Sequence, residues 1–187
     1  MSIQLFKPTT GQISLLIAPS ATIAILMEMT AELSLQSRVI MVDGGNRFDG
    51  YGLARALRRR TVDLKSALDQ VLLSQAFTCY QMAALLSEFP QSALPIIVLD
   101  MLATFLDENI RLETRQSLLG SCLMQLQRLS QSAPVVIWAR KRSLPGIEDV
   151  GLLDQLLETA EKVWRLESPQ PDTRQLSLFE MHTPGGS

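Results

Sequence analysis

The chain alternates short, unbroken apolar runs with longer stretches in which apolar positions return every three or four residues. The purest run is Leu94-Pro95-Ile96-Ile97-Val98-Leu99-Asp100. An apolar strand without alternation is buried on both faces, as parallel strands are when helices cover each side. Comparable runs at 12–17, 38–43, 70–76, 134–139 and 162–167 predict five more strands. Helical spacing predicts helices over 21–35, with Ile25, Met29 and Leu33 inward, and over 51–60, 79–89, 111–130 and 148–160. Residues 104–109 read as a loop. Strands and helices alternating at this spacing indicate an α/β fold with a doubly wound, mostly parallel sheet flanked by helices. In such sheets ligands collect at the carboxyl ends of the strands, where Asp100 stands.

Composition narrows the picture. One domain over 1–167 is expected of 187 residues, and 47% hydrophobic content supplies its core. The Pro-rich stretch Ser168-Pro169-Gln170-Pro171-Asp172 marks a change, so 168–187 read as a flexible linker and tail. A net charge of -2 gives no global attraction to nucleic acid or membrane, and any such contact must be a local patch. Cys79 and Cys122 lack paired spacing and His182 stands alone. No zinc site, other metal site or disulfide framework is expected, and the reducing cytoplasm is the expected location. The apolar stretch 13–29 is interrupted by Ser14, Pro19, Ser20, Thr22 and Glu28 and preceded by Lys7 alone, which argues against a signal peptide or membrane span.

Three blocks carry a resemblance. Val39-Ile40-Met41-Val42-Asp43-Gly44-Gly45-Asn46-Arg47-Phe48, Leu73-Ser74-Gln75-Ala76-Phe77-Thr78-Cys79-Tyr80-Gln81, and residues 95–100 followed by Met101-Leu102-Ala103-Thr104 follow one another as in the core of the RecA/RadA recombinase superfamily. The resemblance spans about 10–167 and implies a RecA-like P-loop NTPase fold. It implies a magnesium-linked role for Asp100, and for Thr22 as the matching hydroxyl. The departures are chemical. A phosphate cradle needs glycine backbone N–H groups and a lysine. The corresponding turn, Ile17-Ala18-Pro19-Ser20-Ala21-Thr22-Ile23, has neither. Gly45 occupies the position of the family's catalytic glutamate. Asp100 and Thr22 thus read as vestiges, with no catalytic residue, no required cofactor and at most weak binding of magnesium-ATP.

Two basic clusters are candidates for nucleic-acid contact, the first of them for single-stranded DNA. Arg140-Lys141-Arg142 leaves a strand on the ligand-facing edge, where recombinases contact DNA, and three cations there suit phosphates. Arg55, Arg58, Arg59 and Arg60 end a helix, whose negative pole they also complement. Tyr80, Met82 and Trp138 read as core.

The tail carries the most specific motif. Gln175-Leu176-Ser177-Leu178-Phe179 resembles at all five positions the pentapeptide by which bacterial polymerases and repair proteins bind the sliding clamp. Leu178 and Phe179 would fill an apolar pocket, assisted by Leu176, while Gln175 supplies hydrogen bonds. Chance produces such a match in roughly one chain in several thousand. Together these features resemble the RecA-like accessory proteins of the ImuA and SulA kind, which accompany mutagenic translesion polymerases. The expectation is a non-catalytic accessory protein of DNA repair, recombination or translesion replication, partnered by the clamp and by a polymerase or recombinase. An atypical nucleotide-binding ATPase and a RecA-like adaptor of an unrelated assembly are the alternatives.

Overall fold

In a computed structural model, which describes residues 8–140 and 151–166, six parallel strands form one sheet. They are β1 (Ile13–Ala18), β2 (Val39–Asp43), β3 (Val71–Gln75), β4 (Ile96–Leu99), β5 (Val135–Arg140) and β6 (Lys162–Arg165), in the order β3-β2-β4-β5-β1-β6. Helices α1 (Ile23–Ser34), α2 (Gly50–Arg58) and α3 (Leu64–Asp69) pack on one face, burying Met41, Ile97, Leu99, Val136 and Trp138. Helices α4 (Cys79–Glu88), α5 (Leu112–Ser130) and α6 (Leu152–Thr159) cover the other, over Ile40, Val42, Val98, Val135 and Ile137. Crossovers toward the β3 edge use the first face and those toward the β6 edge use the second, as right-handed connections require. The sheet is doubly wound.

The central strands β1, β2 and β4 are buried at every position, as unbroken apolar runs demand. The two edge strands are not. Both β3 and β6 leave most of their residues partly or fully exposed.

Three local readings change. Residues 64–69 form α3, which the sequence pattern had not suggested; the Asp63 carboxylate accepts from the Ser66 amide and starts it. The expected loop after β4 begins with a 3-10 turn over Met101–Phe105 that buries Phe105. On α1 Met29 is buried as expected, together with Leu26, Met27, Thr30, Ala31 and Ser34, while Ile25 and Leu33 are half-buried. Packed against α2 as well as the sheet, α1 contacts neighbours on two sides, so its buried arc is broader than one heptad-like line. Among the described residues no helix is long and apolar enough to cross a membrane.

Candidate functional site

The crossover from β2 leaves over one face of the sheet and the crossover from β4 over the other, so the crevice between their carboxyl ends is where a ligand site is expected. Two buried carboxylates, Asp43 and Asp100, stand there. The protein itself engages both.

Asp43 ends β2, and the chain folds back over it. Its Oδ1 accepts from the amides of Gly45 (3.1 Å) and Arg47 (2.9 Å), and its Oδ2 from those of Arg47 (2.8 Å) and Phe48 (2.8 Å). Asn46 makes the turn with φ of 53°, a left-handed conformation that asparagine tolerates better than most residues. A concave ring of backbone N–H groups is an anion-binding device. Here the anion is Asp43.

Asp100 follows β4 with φ of 45° and is 1% exposed. Its Oδ2 lies 3.7 Å from Arg47 Nε and 3.6 Å from Arg140 Nε. Arg47 comes from the loop after β2 and Arg140 from the end of β5, so one carboxylate ties together the outlets of three adjacent strands. A divalent cation at Asp100 would face both guanidinium groups. Like charges about 4 Å apart oppose each other by about 4 kcal/mol at an effective dielectric of 20.

The remaining pieces are equally committed. Only Pro19 separates β1 from a 3-10 turn over Ser20–Thr22, so no loop is left to wrap a phosphate. The Thr22 hydroxyl donates to the Pro19 carbonyl at 2.6 Å and accepts from Trp138 Nε1 at 3.2 Å. Gly45 lies against Asp100: a Cβ there would stand 2.7 Å from Asp100 Cβ and 2.8 Å from Oδ2. A glutamate at position 45 has no room while Asp100 keeps its place. The residues present do not fit a magnesium nucleotide. Among the described residues no cluster of three or more His, Cys, Asp or Glu is placed to hold a metal ion.

The described residues of the two basic clusters lie at opposite ends of the strands. Arg140 is at the carboxyl edge, a third exposed and directed to Asp100; Lys141 and Arg142 lie outside the described residues, as does the entire pentapeptide Gln175, Leu176, Ser177, Leu178 and Phe179. Helix α2 runs back from the carboxyl end of β2, which puts Arg58, Arg59 and Arg60 at the amino edge. Arg140 therefore shares no groove with Arg58, Arg59 and Arg60. Arg59 and Arg60 both pair with Glu28 of α1, the latter at 2.7 Å, and Arg60 also donates to the Ala56 carbonyl. Desolvation works to raise the Glu28 carboxyl, but the hydrogen bonds and charges of Arg59 and Arg60 outweigh it and hold it below its ordinary value. A depressed carboxylate contributes stability above its unfolded value, near 4.5, that is lost as pH falls through the folded value. Acid titration of Glu28→Gln, followed by circular dichroism, is expected to show a shallower loss of stability below that point than the wild type; an identical acid limb would show that the pair contributes nothing.

Of the residues read as core, Met82 and Trp138 are fully buried, whereas Tyr80 is 54% exposed. Tyr80 stands in the first turn of α4 at the sheet edge, where no further strand among the described residues covers it. Cys79 and Cys122 are buried free thiols; burial raises both, Cys122 to about 12. Arg47 was not singled out as a partner of Asp100. The two are distant in sequence, and only the sheet order brings them together. No protein-family model matches the chain, and no curated protein matches it in sequence.

Proposed function

We propose that the chain is a non-catalytic RecA-like accessory protein of DNA repair or translesion replication, tethered to the sliding clamp by its tail. The observation that carries the proposal is the pentapeptide Gln175-Leu176-Ser177-Leu178-Phe179, placed beyond a Pro-rich linker that follows the last strand. An extended peptide with apolar anchors at fixed spacing is the form in which such a pocket is filled. The parallel doubly wound sheet is consistent with the RecA-like resemblance. The geometry around Asp100 supports the non-catalytic half, because Arg47 and Arg140 take the place of a metal and Gly45 excludes the glutamate. In this reading the domain is a protein-binding body for a polymerase or recombinase, and the tail holds that body at the replication site.

A fluorescence titration of the full chain against a bacterial sliding clamp tests the tether. Saturable binding at micromolar concentration is expected, and its absence ends the proposal. Calorimetry with magnesium-ATP tests the other half. No heat of binding is expected at low micromolar concentration; a low-micromolar dissociation constant lost in Asp100→Asn would overturn the non-catalytic reading.

A further inference from the structure

The exposed large apolar side chains are not scattered evenly. Leu72 and Leu73 (each 40% exposed), Phe77 (68%) and Tyr80 (54%) fall within residues 72–80, along β3 and into the first turn of α4. Among the described residues β3 is an edge strand, hydrogen-bonded to β2 alone. The Val39 amide donates to the Gln70 carbonyl and the Ala76 amide to the Asp43 carbonyl, so the even-numbered residues of this strand face β2. Alternation along a ladder then turns the backbone groups of Val71, Leu73 and Gln75 outward.

Soluble proteins guard such an edge with charges, prolines or bulges. The opposite edge is guarded, since Lys162 and Arg165 bracket the exposed Val163 and Trp164 of β6. β3 is not. From residue 70 through residue 87 the chain carries no charged residue and no proline.

We propose that the β3 edge is a self-association surface, at which two copies pair their β3 strands antiparallel about a twofold axis normal to the sheet. Such an axis keeps Leu72 on the α4 face and Leu73 on the α3 face in both copies, so like side chains meet across the seam. The uncharged stretch sets no like charges against each other when it meets itself. Phe77 and Tyr80 each leave more than half of a large aromatic side chain to be covered. With the leucines and the edge backbone, the two copies together remove on the order of 1,000 Å² from water, the lower bound for a specific interface. The twofold arrangement also closes. Pairing β3 with β6 would continue without end, whereas pairing β3 with β3 leaves only the guarded β6 edges outside.

Sedimentation velocity of the full chain across concentration tests this. A monomer–dimer equilibrium with a dissociation constant of about 1–10 μM is expected from an interface of this size. Leu73→Lys is expected to weaken the dimer at least tenfold, and so is Leu73→Pro, which removes an outward N–H without removing a bond to β2. Val163→Lys on the other edge is expected to change nothing. Circular dichroism confirms that each variant is folded. A wild type that stays monomeric, or a dimer indifferent to both Leu73 substitutions, overturns the proposal; the first result returns the edge to a strand of another protein, and the second moves the contact elsewhere.

Discussion

Alanine at both Leu178 and Phe179 is expected to abolish clamp binding while leaving the thermal midpoint within about 1 °C of the wild type. A short peptide that orders on binding gives up part of its contact energy to that ordering, so the intact interaction is expected near −7 to −9 kcal/mol. Each apolar anchor contributes roughly 1.5–3 kcal/mol when fully buried. Losing both removes about half of the total and carries the dissociation constant into the millimolar range. The fold should not register the change, because the last strand among the described residues ends at Arg165, ten residues before the pentapeptide begins. The measurements are the clamp titration and a melting curve on the same sample. If the double variant melts well below the wild type and neither binds the clamp, the pentapeptide belongs to the packing of the domain and the link to replication is lost.

The second large effect is expected at Asp100. Asp100→Ala leaves Arg47 and Arg140 facing each other without the carboxylate between them. Removing one partner of a buried ionic cluster costs about 3–5 kcal/mol. Both guanidinium groups are about a third exposed and can turn toward water, so the lower part of that range applies. Alanine also tolerates the left-handed backbone at position 100 poorly, which adds about 1 kcal/mol. Asp100→Asn keeps the shape and the backbone preference and is expected to fall between wild type and alanine. For a domain of this size the alanine variant should melt roughly 8–16 °C lower. Urea denaturation should show the midpoint shifted with an unchanged slope. An alanine variant as stable as the wild type would falsify the view that one carboxylate ties three strand outlets together.

The strands that cross the middle of the sheet were legible because both of their faces are apolar. Ile96, Ile97, Val98 and Leu99 need no alternation, and a window of four residues suffices to see them. Helix α3 was missed because it is short; its signal was the cap, Asp63 three residues before Ser66, rather than any periodicity. Tyr80 was misjudged for a different reason. Helical spacing places it beside apolar neighbours, but its exposure depends on β3 being an edge strand, which is a property of strand order. Asp100 was visible as a carboxylate at a strand end. That its companions would be Arg47 and Arg140 was not, because the choice is made by which strand lies beside β4. The absence of glycine and lysine around Pro19 was plain in the sequence, whereas the bonds that hold this turn, from Thr22 to Pro19 and from Trp138 to Thr22, depend on strand order.

Of the six described strands β1 is synthesised first, yet among them it pairs only with β5 and β6, whose residues begin roughly 120 positions later. At ordinary translation rates the fully apolar segment Ile13–Ala18 waits on the order of ten seconds for its first neighbour. During that interval β2, β3 and β4 can assemble among themselves, while β1 trails as a sticky, unpaired ribbon of the kind that holdase chaperones recognise. Production of the protein should therefore respond to chaperone supply and growth temperature more strongly than its final stability suggests, and truncation before β5 should give insoluble product rather than a smaller folded unit.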